Sequence, residues 1–189
     1  MPIRLPERRV RADAQRSLDA TLEAAKKVFA RDGVDAPVRV VAREAGVGVA
    51  TLYRHFPQRA DLVAAVFRRE VDATAVAAEE LAATLPPFEA LVAWLRRYTA
   101  FIATKQGLSA ALHSSDPAFA PLPAYFSGHL GPPLATLLDA AVDAGEARPG
   151  VDADELLAAV ANLAHASGSL SSVSMVDLLI DGLRVDGSA

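Results

Sequence analysis

VRVVAREAGVGVATLYRHFP, residues 38–57, decides the reading of this chain. It spells two short helices joined by a glycine corner, and the second helix is basic and aromatic. Two helices that cross steeply over a turn of three or four residues need a small side chain at the crossing, and Ala42 supplies it. Gly46 falls where the first helix must stop and the backbone must enter the left-handed region, which glycine alone adopts without steric cost. Leu52 is then the buried anchor of the second helix, with Val41 and Val47 closing a small core between the two. The alternative for such an alanine-rich stretch is an ordinary helical hairpin. What separates the two is the outward face.

Thr51, Tyr53, Arg54 and His55 crowd hydroxyls, a guanidinium and an imidazole onto a helix too short to stand without docking. These groups hydrogen-bond phosphate oxygens and base edges, and a helix entering the major groove by its N-terminus presents them there. Arg59 opens the next helix, near Gln58, where the macrodipole disfavours a cation unless an anion such as phosphate is bound. A solvated surface charge is the alternative for Arg59.

On these residues the segment from Arg11 to Arg69 resembles the DNA-binding domain of the TetR family of bacterial transcriptional repressors, and VAREAGVGVATLYRHFPQRADLV is close to that family's motif. The resemblance implies a three-helix head whose third helix reads the major groove, and a fourth helix leading into a ligand-binding body. By matching position it implies DNA contacts from Thr51, Tyr53 and His55 with Gly48, Val49, Ala50 and Arg54 around them, a reach into the groove by Arg39, and a backbone clamp by Arg59. Pro37 and Val38 stand where the family often has Ser or Thr, which removes a hydroxyl contact to phosphate, and Gly48 stands where the reading helix usually has a serine cap. From Trp94 onward, WLRRYTAFIATKQGLSAAL and AGEARPGVDADELL resemble the SbtR-like C-terminal domains of that family.

Charge divides the chain independently. Residues 1–70 carry 14 Lys and Arg against 9 Asp and Glu, whereas residues 71–189 carry 5 against 14. A positive head attracts DNA through counterion release and an acidic body stays off the duplex. Arg4, Arg8, Arg9, Arg11 and Arg16, with Pro2 and Pro6, read as a basic flexible arm over residues 1–15, which either touches the minor groove or phosphates or is simply solvated. The expected domains are that arm, a helix-turn-helix domain over residues 16–60, and an effector-binding and dimerisation domain over residues 61–189.

No β alternation interrupts the helical periodicity, so the expected class is all-α with about nine helices. Leu18, Leu22, Ala25 and Phe29 mark the first helix, stopped by Gly33. Leu62, Val66, Phe67 and Val71 mark a fourth running to about Ala83, and another extends from Phe88 to Lys105. Prolines 117, 121, 123, 132 and 133 predict a broken region between Asp116 and Pro133. Leu134, Leu137, Leu138 and Val142 resume the pattern up to Gly145, Asp152 caps the next helix, and Met175 opens the last.

In the body Trp94, Tyr98, Phe101, His113, Phe119, Tyr125, Phe126 and His129 are candidate walls of a cavity for an unknown small-molecule effector; the alternative is core. The small-residue segment LLAAVANLAHAS, residues 156–167, and the final helix with Leu178, Leu179, Gly182 and Leu183 suggest a homodimer interface, or else a buried hairpin. A dimer suits a palindromic operator in double-stranded DNA, since two short reading helices cover half-sites about one turn apart. His113, Ser114, Ser115 and Asp116 are consecutive and cannot form a hydrolytic triad, and the histidines at 55, 113, 129 and 165 lack metal-ligand spacing. The expectation is therefore a non-enzymatic regulator without cofactor or metal. With no cysteine and no signal sequence it is expected in the cytoplasm. The uncharged stretch over residues 156–176 holds Asn162, His165 and five serines, which argues against a membrane span. Taken together these expectations describe a ligand-responsive repressor, with a helical architectural DNA-binding dimer lacking an effector pocket as the alternative.

Overall fold

The computed structural model describes residues 7–104, 116–166 and 175–185. Eight helices make up the fold among them: α1 (Glu7–Asp32), α2 (Val38–Glu44), α3 (Val49–His55), α4 (Arg59–Thr84), α5 (Pro87–Thr104), α6 (Leu122–Asp143), α7 (Ala153–Ala166) and α8 (Met175–Leu183). The all-α architecture expected from the periodicity is what the chain adopts. No described helix is long and apolar enough to cross a membrane. Packing divides the chain into a head, with residues up to Arg69 and the described residues 116–120, and a body with the remainder. The division falls inside α4, where the sequence reading placed a boundary after residue 60, because Leu62, Val63 and Val66 in the first turns of α4 are buried within the head.

In the head, α1 packs on α2 and α2 on α3. Ala25 and Val28 are fully buried at helical spacing on α1, and Gly33, at φ +82°, ends that helix where the sequence placed its stop. The segment read as a flexible arm differs: α1 begins at Glu7, so residues 7–15 are helical and only residues 1–6 of the expected arm lie outside the description. The cause is propensity. Glu, Arg, Ala and Gln, which make up most of residues 7–15, are good helix formers whatever their charge.

In the body, α5 packs against α6 and α7, and α7 against α8. Trp94, Tyr98, Leu91 and Leu95 bury one face of α5. The broken region expected between Asp116 and Pro133 is the main correction, for α6 runs unbroken through Pro132 and Pro133. Those prolines withdraw the donors that would bond the carbonyls of Gly128 and His129, and both residues are exposed, which keeps the cost of the lost bonds low because the freed carbonyls are not sealed in the core. Pro123 lies in the first turn, where no donor is needed. Leu130, Leu134, Leu137 and Leu138 meanwhile keep their buried periodicity across the prolines.

Ends are closed by specific devices. At the C-terminus of α6, Gly145 takes φ +73° while its N–H bonds the Val142 carbonyl and that of Glu146 bonds Ala141. Asp152 caps α7 by accepting the Glu155 N–H at 2.9 Å. Glu146 reaches the first turn of α5 and accepts the Phe88 N–H at 2.9 Å, a carboxylate placed at the positive end of the helix dipole. The same loop pairs with the end of α8 through Arg148 N–H to the Leu183 carbonyl and Val185 N–H to that of Glu146, and the Arg184 guanidinium lies 4.4 Å from the centre of the Phe88 ring.

Candidate nucleic-acid interface

The corner between α2 and α3 is fixed by backbone chemistry. Gly46 sits at φ +67°, its N–H bonds the Arg43 carbonyl at 3.2 Å, and the Val47 N–H bonds the Ala42 carbonyl at 3.0 Å. This double closure satisfies the last carbonyls of α2 and sets the exit direction of the chain. Val41, Ala42 and Leu52 are buried beneath it, while Val47 is half-buried. Gly48 caps α3 with extended geometry, its carbonyl accepting from Thr51 and Leu52, and no side chain takes part. Phe56, 7% exposed, closes the far end with its N–H on the Leu52 carbonyl.

Everything on α3 other than Leu52 is turned at least partly to solvent. Tyr53 is 48% and Val49 42% exposed, Ala50, Arg54 and His55 are exposed, and Thr51 is half-buried. Arg54 donates to the Thr51 hydroxyl at 3.2 Å, a pair the sequence reading did not anticipate although its i, i+3 spacing permits it. On α2, Arg39 is exposed. Of the expected DNA-facing set, Arg39, Gly48, Val49, Ala50, Tyr53, Arg54 and His55 are thus open.

Arg59 is half-buried at the start of α4. Its Nη2 donates to the Ala36 carbonyl at 3.0 Å, its Nη1 lies 3.4 Å from the Asp35 carboxylate, and its Nε is buried without a partner. The cationic penalty at the start of α4 is offset locally by Asp61, which accepts the Gln58 N–H at 2.9 Å. A shallow cavity of about 280 Å³ beside Arg59 is lined by Val34, Asp35, Gln58, Ala60, Val63, Asp116 and Phe119.

The eight candidate effector-binding residues are dispersed. Trp94, Tyr98, Phe101 and Phe126 form a continuous row of ring contacts, with centroid distances between 5.7 and 6.5 Å. Trp94 and Tyr98 are fully buried and spend their polar atoms on the Thr74 carbonyl (2.8 Å) and the Leu157 carbonyl (3.2 Å). Burial pushes the Tyr98 phenol well above its ordinary value. Tyr125 donates to Asp72 and stacks on His129, whose Nδ1 meets the Tyr125 carbonyl at 2.8 Å. Phe119 belongs to the head, and His113 lies outside the described residues.

The body's apolar groove, about 450 Å³, instead runs between α4 and α6, lined by Ala75, Val76, Ala78, Glu79 and Ala82 on one side and His129, Pro132, Pro133, Thr136 and Leu137 on the other. Only His129 among the expected residues borders it. The signal that could have found it is Val76, a large apolar residue 59% exposed on α4, but sequence alone does not reveal which face of a long helix stays uncovered.

Comparison with known proteins places this architecture. Residues 22–66 match the model of the bacterial regulatory proteins of the tetR family, and residues 86–185 match the SbtR-like transcriptional regulator C-terminal domain. A TetR transcriptional regulator from Streptomyces coelicolor is 37% identical, with 88% of this chain and 97% of that one covered and a TM-score of 0.72. A TetR regulatory protein from Mycobacterium vanbaalenii is 36% identical over 93% and 99% of the two chains, with a TM-score of 0.71. An HTH-type transcriptional regulator from Staphylococcus aureus is 38% identical over 64 residues, which span 33% of this chain and 35% of that curated relative. The helix-turn-helix head, the SbtR-like body and likeness to two solved regulators over 88% and 93% of this chain lead to one conclusion: the chain belongs to the TetR family of transcriptional regulators.

Proposed function

We propose that this regulator is a homodimeric, ligand-responsive repressor that binds a palindromic operator in double-stranded DNA and is released from it by a small molecule. The observation that carries the reading is the outward face of α3, where Tyr53, Arg54 and His55 project to solvent from a seven-residue helix held down by the buried Leu52. Their chemistry suits phosphate and base-edge contact. Thr51, Arg39 and the open backbone of Gly48, Val49 and Ala50 extend the same surface.

Dimerisation through α7 and α8 is supported by Met175 and Leu178, one helical turn apart on α8 and 52% and 51% exposed. Such a face on α8, beside the small-residue helix α7, suits a symmetric bundle of two helices per subunit. In the proposed mechanism an effector in the body favours one spacing of the paired reading helices. A differential affinity of about 1–3 kcal/mol, or roughly 5- to 150-fold, suffices for a working switch.

The groove between α4 and α6 supports the effector-responsive reading, since it opens on α4, the helix that begins in the head. The solid Trp94, Tyr98, Phe101 and Phe126 row favours the alternative, an architectural dimer whose body serves association only. The test is binding of the purified full chain to a duplex it selects from a random-sequence pool, with mass measured by light scattering. The expected result is two chains per palindromic duplex with affinity falling steeply as salt rises. A monomer, or no selected duplex, contradicts the reading; a selected duplex whose binding resists every compound in a broad effector screen favours the architectural alternative.

A further inference from the structure

We propose that the groove between α4 and α6 takes an apolar organic cation that carries N–H donors, of the alkyl- or arylammonium class, an assignment that rests on the ligand-responsive reading above and names the chemistry of its effector.

The walls of the groove are mostly alanine, valine, proline and leucine side chains, which suit an apolar body of small-molecule size in a volume of about 450 Å³. Three side chains bring polarity to it: Glu79 from α4, and His129 and Thr136 from α6. Each has only acceptors left to offer. The Thr136 hydroxyl spends its proton on the Pro132 carbonyl at 3.1 Å. His129 Nδ1 faces the Tyr125 carbonyl at 2.8 Å, an oxygen that can only accept, so Nδ1 carries the proton of the neutral ring and Nε2 is left with a lone pair. Glu79 is exposed, and its carboxylate has no hydrogen bond or ion pair among the described residues. The main chain adds one more acceptor, because Pro133, four residues after His129, has no N–H for the His129 carbonyl.

The charge around these acceptors is of one sign. From Val71 to Thr84, and again along the whole of α6, there is no lysine or arginine, while Asp72, Glu80, Asp139 and Asp143 add carboxylates to Glu79. An anion entering the groove meets neither a side-chain donor nor a cation on its walls. A neutral alcohol donates one hydrogen bond but draws nothing from the net negative charge. A primary ammonium on an apolar stem brings three donors and a positive charge, and so satisfies the walls and the acceptors together.

The experiment is isothermal titration calorimetry of the purified full chain with three probes that share one apolar chain: octylammonium, octanol and octanoate. The wild type is expected to bind octylammonium several-fold more tightly than octanol, and octanoate most weakly; the ratio is modest because the Glu79 carboxylate is exposed. Glu79→Gln is expected to remove the preference for the ammonium and Glu79→Lys to turn it towards octanoate, while Val76→Trp, which fills the groove, weakens all three. Both positions are exposed, so neither substitution disturbs the core, and thermal melting serves as the check. Octanoate bound as tightly as octylammonium, an ammonium preference that survives Glu79→Gln, binding unaffected by Val76→Trp, or no binding of any probe overturns the inference. Octylammonium that binds with this dependence on Glu79 yet leaves the affinity for a selected duplex unchanged keeps the site and contradicts the ligand-responsive reading instead.

Discussion

The Val47 N–H bonds the Ala42 carbonyl at 3.0 Å across Gly46, so the angle at which α3 leaves α2 is set by a backbone closure that a left-handed residue makes possible. A Cβ at Gly46 would meet nothing within 4 Å, which isolates the conformational cost from any clash. Gly46→Ala is expected to destabilise the protein by about 1 kcal/mol through the left-handed backbone alone. Urea denaturation of the full chain measures it, and an unchanged midpoint would show that the corner does not depend on φ at this position.

Two residues on, Gly48 behaves oppositely. Its φ is −68° and an added Cβ would make only ordinary contact with the Thr51 hydroxyl, at 3.7 Å. Gly48→Ser is expected to leave stability unchanged or raise it by a few tenths of a kcal/mol, since serine caps slightly better than glycine. A loss of about 1 kcal/mol or more in the same denaturation series would contradict the extended geometry at this cap.

Tyr98 gives a test at high pH. Its buried phenol holds its proton above the value of an exposed tyrosine, 10.0, so between the two values the unfolded state binds fewer protons than the folded one. Its contribution is complete below about pH 10 and is lost as pH rises towards the folded value, at up to about 1.4 kcal/mol per pH unit. Tyr98→Phe, which removes the hydrogen bond to the Leu157 carbonyl, is expected to cost about 1 kcal/mol at neutral pH and to flatten the fall above pH 10. Parallel alkaline unfolding curves for the two proteins would mean that the phenol ionises as freely folded as unfolded.

Asp152 accepts the Glu155 N–H at the head of α7. Asp152→Ala is expected to lower stability by about 1 kcal/mol and to leave DNA affinity per folded dimer unchanged, whereas Asp152→Asn keeps most of the cap. Thermal melting of the pair separates the cap from its charge; an equal loss in both variants would assign the effect to the helix dipole instead.

How far the sequence discloses this molecule depends on whether a signal is local. Gly46, Ala42 and Leu52 were legible because a positive φ, a helix crossing and a buried anchor each demand a residue type at a fixed offset. The solvent-facing placement of Tyr53 and His55 followed from the same register. The uninterrupted α6 was not legible, since the cost of Pro132 and Pro133 depends on whether the carbonyls one turn earlier face water. Nor was the direction of Arg59, because its acceptor at Ala36 lies 23 residues away in the chain. The aromatic residues of the body were recognisable as a group, but their sorting into a buried row, an exposed Tyr125 and His129 stack and a head residue is decided by tertiary packing.

The face of α3 is tested most directly by operator binding of Tyr53→Phe and His55→Ala in the full chain, by gel shift on the selected duplex, with light scattering as the control for association. Both side chains are exposed, so neither substitution disturbs the core. The expected result is weakened binding in each, on the order of tenfold for a lost base or phosphate hydrogen bond of about 1–2 kcal/mol, with the dimer intact. Wild-type affinity in both variants would contradict the assignment of this surface to DNA.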